Sequence, residues 1–140
     1  MHRYFSLLLM AGIAGMLWSC RAPFRNIEFG NFGGVTGGKY AYRVDANGKI
    51  WQGDQMIGRL PDNVRHSLKK EVAQFLKEPP TPFRYPANMN HFIQINTKDT
   101  ILYYQWGGAK MPPSSIETLY QHLWQWVKPF SQNQNKKSAQ

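Results

Sequence analysis

Apolar and polar residues alternate along this chain in short runs, interrupted twice by longer stretches with helical spacing. From Asn26 to Phe32, apolar Ile27 and Phe29 flank polar Glu28, the two-residue period of a strand with one buried face. Tyr40 to Val44 alternates in the same way. Lys49 to Gln52 returns across Asp45-Ala46-Asn47-Gly48, where Asn and Gly tolerate the left-handed backbone of a hairpin turn. Gly53 to Gly58 reads as a loop leading to Leu60-Pro61. Asp62 is placed to cap a helix running to about Lys77, with Val64, Leu68, Val72, Phe75 and Leu76 on one stripe. Glu78-Pro79-Pro80 stops that helix, and Thr81 to Met89 reads as a proline-punctuated loop.

Asn90 to Asn96 is the clearest strand, with Phe92 and Gln94 on the face opposite Ile93 and Ile95. Thr97 to Thr100 turns the chain, and Ile101 to Trp106 brings it back. Ser114 and Glu117 have the spacing of a capping box. The helix they open carries Ile116, Leu119, Tyr120, Leu123, Trp126 and Val127 on one face and is expected to stop at Lys128-Pro129. The apolar-poor stretch 131–140 is expected to be a disordered tail. Strands then helix, twice over, predicts an α+β domain at 26–130. Its two layers are an antiparallel sheet of four to five strands and two amphipathic helices covering one sheet face.

The first twenty residues follow a different pattern. A basic opening, Met1 to Tyr4, precedes the uncharged apolar run Phe5 to Trp18, and Leu17-Trp18-Ser19-Cys20 closes it. That order is a secretory leader, and a cysteine directly after the cleavage point makes it a lipoprotein leader. The run is shorter than the roughly 18 or more apolar residues needed to cross hydrocarbon. Residues 1–19 are thus expected to be removed, Cys20 to be acylated, and 20–25 to be a short tether. Trp18 is bulky for such a box, whereas Leu17 and Ser19 fit it. No acidic run follows Cys20, which favours a periplasm-facing anchor in the cell envelope.

Composition adds charge to this picture. Loss of Arg3 with the leader takes 17 Lys+Arg to 16, against 8 Asp+Glu, a formal +8. A basic domain held by lipid beside a membrane is attracted to anionic headgroups, acidic glycans or an acidic protein. An exported chain is a poor nucleic-acid binder despite the charge. With Cys20 acylated, no cysteine is left for disulfide, metal or nucleophilic chemistry. On the first helix Arg65, Lys69, Lys70 and Lys77 lie off the apolar stripe and form the candidate face for an acidic partner.

Catalytic patterns are sparse. Gly33 to Lys39 nearly spells a phosphate-binding loop, but Tyr40 stands where Ser or Thr must hold magnesium, and a strand follows where a helix is required. No zinc-protease histidine pair and no nucleophile elbow is present, and no metal or cofactor is expected. His66 and His122 fall on polar helix faces, where solvated side chains are expected. His91, beside Asn88 and Asn90 and near Arg84 and Tyr85, is the one histidine placed to meet a ligand. Together with Trp106 these residues form a candidate ligand-binding group, and a hydrolase site would have to assemble around His91 with Asn88 and Asp99. Trp51, Tyr103, Tyr104, Trp106, Trp124 and Trp126 cannot all be internal, because Tyr103 and Tyr104 point to opposite sides of one strand. Sugar rings and lipid interfaces both favour exposed aromatics.

Gly33-Gly34-Val35-Thr36-Gly37, Asn47-Gly48-Lys49, Pro86-Ala87-Asn88-Met89, Trp106-Gly107 and Leu119-Tyr120-Gln121-His122-Leu123 occur in an order that resembles uncharacterised small envelope lipoproteins of the Bacteroidetes. The likeness spans most of the mature domain, though Ala87 departs from the Pro-Gly-Asn loop of such proteins. It implies lipid anchoring and an envelope location, and no catalytic residue. The expected function is a non-catalytic binding or accessory role toward an acidic envelope partner, with a small envelope hydrolase built around His91 as the alternative.

Overall fold

The computed structural model describes residues 21–137, so the leader and the acylation expected at Cys20 lie outside the described residues. Seven strands form one sheet: β1 (Asn26–Gly33), β2 (Gly38–Asp45), β3 (Lys49–Gln52), β4 (Gln55–Arg59), β5 (Phe83–Arg84), β6 (Met89–Asn96) and β7 (Ile101–Gly107). Helix α1 (Asp62–Phe75) follows β4, and α2 (Ser114–Lys137) follows β7. The spatial order is β4-β3-β2-β1-β6-β7-β5, antiparallel throughout except for the short parallel pair of β5 with β7. The β1–β4 meander therefore meets the β6–β7 hairpin, which carries β5 on its outer edge, at the central β1–β6 pair, and α1 carries the chain from one half to the other.

The expected four to five strands become seven because two loop-like stretches pair at the sheet edges. β4 contains Gly58, read in sequence as a breaker, yet Phe130 occupies the space its missing side chain leaves: a Cβ there would lie 2.2 Å from the Phe130 ring. β5 is two residues long, too short for any alternation to register.

Register fixes the two faces. Ile27 is level with Val44 and Ile95, Val44 with Ile50, and Phe29 with Tyr42 and Ile93. All are buried in one cluster with Leu68, Val72 and Phe75 of α1 and Ile116, Leu119, Leu123 and Val127 of α2. The alternate residues Glu28, Arg43, Trp51, Gln94 and Tyr103 form a level row on the other face.

Several ends differ from the sequence reading. Helix α1 is capped by Pro61, while Asp62 in its first turn pairs with Arg65 at 2.9 Å. At α2 the capping box is replaced: the Pro113 carbonyl accepts from the Ile116 and Glu117 N–H groups, and Glu117 accepts from Gln121. The second helix does not stop at Pro129 but continues to Lys137, so most of the stretch expected to be a disordered tail is helical. Phe130, packed against the core beside Gly58, anchors the turn that proline would otherwise break.

Phe24 and Arg25, expected in the tether, belong to the domain. Phe24 is 3% exposed and belongs to the core. The Arg25 N–H donates to the Asn96 carbonyl and its carbonyl accepts from Ala46, extending both ladders by one residue. Only Arg21 to Pro23 separate Cys20 from the domain, a reach of about 10 Å.

Candidate functional site

The residues expected to form a ligand site around His91 divide between the two sheet faces. His91 and Trp106 are level on the helix side, against Tyr120. The Tyr120 hydroxyl donates to the Gly30 carbonyl at 3.1 Å and lies 3.0 Å from His91 Nδ1. With its one proton given to Gly30, that oxygen can only accept from His91, so the neutral ring carries its proton on Nδ1. His91, Lys110, Glu117 and Gln121 then line a hollow of about 150 Å³. Glu117 accepts from Gln121 there, and no carboxylate bonds to His91 among the described residues.

The other candidates have structural partners. Asn90 is buried, bonding both ways to the Ala87 backbone and accepting from Gln105. The Asn88 carbonyl accepts from Gly34 and holds the β1–β2 hairpin tip. Tyr85 stacks on Phe83, with Lys110 over its ring. Asp99 lies in the β6–β7 turn, at the opposite end of β6 from His91. Among the described residues no group of three or more His, Cys, Asp or Glu converges. No described helix is long and apolar enough to cross a membrane.

The basic face expected on α1 is partly neutralised. Arg65 is paired with Asp62, Lys77 donates to Gln74, and Lys70 stands beside Glu71 and Glu78 on the rim of a groove between the helices. That groove, about 720 Å³ over Phe75 and Leu119, has a mixed-sign rim that gives no preference for an anion. His122 is not merely solvated: its Nδ1 lies 2.9 Å from both Glu71 carboxylate oxygens and ties α2 to α1.

The sheet face turned away from the helices is the more distinctive surface. Three cations lie over three aromatic rings: Arg43 over Trp51 at 5.3 Å, Lys39 over Phe92 at 5.1 Å, and Arg84 over Tyr103 at 4.6 Å. Phe32, Phe92 and Tyr103 form a continuous strip, with centroids 5.9 and 6.2 Å apart. Phe92 is 3% exposed yet lies outside the main core cluster. Lys39 also pairs with Glu28 at 2.8 Å. Arg43 and Arg84 are exposed and have no carboxylate partner among the described residues. Their forked donors are thus held in place by rings and available to an anion. Lys49 and Arg59, directly opposite each other on β3 and β4, add to the positive sign of that edge.

Sequence reasoning singled out Trp51, Tyr103 and Arg84 but missed Phe32, Lys39, Arg43 and Phe92 as one surface. Alternation alone placed Phe92 opposite Ile93. The pairing of each cation with its ring needs cross-strand register.

Burial shifts three tyrosines. Burial pushes the Tyr120 hydroxyl up to about 12 from its ordinary 10.0, with nearby Glu117 adding to the rise. Burial raises Tyr42 too, reinforced by its hydrogen bond with Tyr40, and burial alone raises Tyr104. The unfolded tyrosine loses its proton first, so this stabilisation is complete below pH 10 and is lost as pH climbs toward 12. Tyr120 alone accounts for roughly 2–3 kcal/mol of that loss. Alkaline unfolding should therefore steepen above pH 10, with delayed appearance of tyrosinate absorbance. Ionisation of every tyrosine at the ordinary value in the folded protein would refute this.

No family model matches the chain, and no curated protein matches it.

Proposed function

We propose that this protein is a membrane-anchored envelope lipoprotein, facing the periplasm, with a non-catalytic binding role toward an acidic partner. In this reading the leader places Cys20 in the membrane, as the resemblance to Bacteroidetes envelope lipoproteins implies. The domain is a two-layer unit with both helices on one face, which leaves the other sheet face to the partner. The observation that carries the proposal is the set of three cations laid over aromatic rings on that face. Charge supports it: a mature chain of formal +8 with two guanidinium groups on one surface that have no carboxylate partner among the described residues attracts negative ligands at long range.

A hydrolase centred on His91 has less behind it. His91 is oriented by a tyrosine that already gives its proton to Gly30, and Asn88 and Asp99 lie apart from it.

Co-purification after crosslinking in native membranes tests the binding role. Acidic partners should be recovered at low salt and lost at high salt, whereas only neutral or basic partners, unaffected by salt, would remove its basis. Intact mass of the membrane form should show a diacylglycerol on Cys20 that Cys20→Ser lacks. An unmodified chain beginning elsewhere would refute the anchor.

A further inference from the structure

The open face is divided into two hollows. One, about 320 Å³, includes Arg43, Trp51, Gln52 and Asp54; the other, about 250 Å³, includes Phe32, Phe92, Gln94 and Tyr103. Glu28 and Lys39 line both, so their 2.8 Å ion pair is the partition between them. We infer that this face is a binding groove for an anionic polysaccharide strand, with one subsite on each side of the Glu28–Lys39 bridge. The inference rests on the binding role proposed above and names its ligand class and its residues.

The chemistry of each hollow matches sugar rather than a bilayer. Each carries a side-chain amide for hydroxyl groups, Gln52 in one and Gln94 in the other, beside half-buried aromatic side chains. A guanidinium stands at each outer end, Arg43 over Trp51 and Arg84 over Tyr103. Those two rings lie in one level row, on strands four intervals apart, about 19 Å by ordinary strand spacing. That distance suits a strand of several sugar units bearing carboxylates or phosphates, not one small anion. Insertion into a bilayer needs protruding apolar side chains, whereas Phe92 is sunk into the face and Trp51 and Tyr103 are half-buried beneath cations.

The central bridge sets the order of events. Glu28 repels an incoming anion and holds Lys39, so a ligand carboxylate must take Lys39 from it. Glu28→Gln should therefore tighten binding by roughly threefold to tenfold, while Arg43→Ala and Arg84→Ala should each weaken it about tenfold. Both arginines are exposed, so their removal leaves the fold intact.

Titration of the full chain in a neutral detergent, followed by tryptophan fluorescence and calorimetry, tests this. The probes are a defined oligogalacturonate, its neutral methyl ester, and the water-soluble headgroup glycerophosphoglycerol. Binding of the acidic oligosaccharide alone, with the three variant effects above, is the expected result. Equal binding of the neutral ester, preference for the headgroup, no binding of any probe, or indifference to Arg43 and Arg84 would overturn it. If those same outcomes accompany salt-sensitive recovery of an acidic protein from membranes, the binding role survives and only the glycan groove falls.

Discussion

Phe24→Ala should cost about 3–5 kcal/mol, a large part of the stability of a domain this size. The side chain is 3% exposed in the main core, at a position a reading of sequence assigns to the tether. Its removal leaves a cavity in the main core. Truncation sharpens the test. A chain beginning at Ala22 should unfold like the intact domain. One beginning at Asn26 should lose both Phe24 and the two backbone bonds of Arg25, to Asn96 and from Ala46. Thermal unfolding of the two truncations separates them, by on the order of 10 °C or more. Equal midpoints would mean that Phe24 contributes no packing.

Gly30→Ala should be comparably damaging, by about 3–5 kcal/mol, for the opposite reason. A Cβ at Gly30 would lie 2.1 Å from the Tyr40 carbonyl oxygen and 2.7 Å from the Ala41 Cα, both backbone atoms of β2. Backbone cannot rotate out of the way as a side-chain tip can, so β1 and β2 must separate. Separation would also disturb the Gly30 carbonyl that accepts from Tyr120, linking sheet to α2. Gly37→Ala is the matched control. It has positive φ of 63° at the hairpin tip but nothing within 4 Å of a Cβ, so only backbone strain of about 1–2 kcal/mol is expected. Denaturant midpoints of the two variants should differ clearly; similar midpoints would contradict the close approach.

How much of this was legible follows from the range of each interaction. The alternation of Ile27 with Phe29 and of Ile93 with Ile95 placed the buried face, and the stripe Leu68, Val72, Phe75 placed the first helix, because burial imposes a short period on local sequence. β4 was hidden because Gly58 reads as a breaker until Phe130, far along the chain, fills its space. The run through Pro129 was hidden in the same way. Proline forecasts a stop, and only the packing of Phe130 against β4 and the core continues the helix. Phe24 was hidden because one apolar residue between Pro23 and Arg25 has no period at all.

The open face was half legible. Opposite orientation of Tyr103 and Tyr104 followed from adjacency, and burial of Tyr104 against Phe75 agrees with it. The cation over Tyr103 could not follow, since Arg84 reaches it from a two-residue strand in a proline-rich stretch. Lys39 and Phe92 meet only because β1 lies between their strands, with Lys39 level with Phe32 and Phe92 level with Gly30 two residues away. The basic residues of α1 were visible in sequence, but their neutralising neighbours Asp62, Glu71 and Glu78 become so only when the helix is built.

Charge reversal on the two rival surfaces tests the central claim most directly. Arg43→Glu with Arg84→Glu changes the open face; Lys69→Glu with Lys77→Glu changes α1 and the turn that follows it by the same four units of charge. Crosslinked recovery of acidic material from native membranes is measured for each pair against the unmodified chain. The open-face pair should abolish salt-sensitive recovery, and the α1 pair should retain most of it. Loss with the α1 pair and retention with the open-face pair would contradict the account.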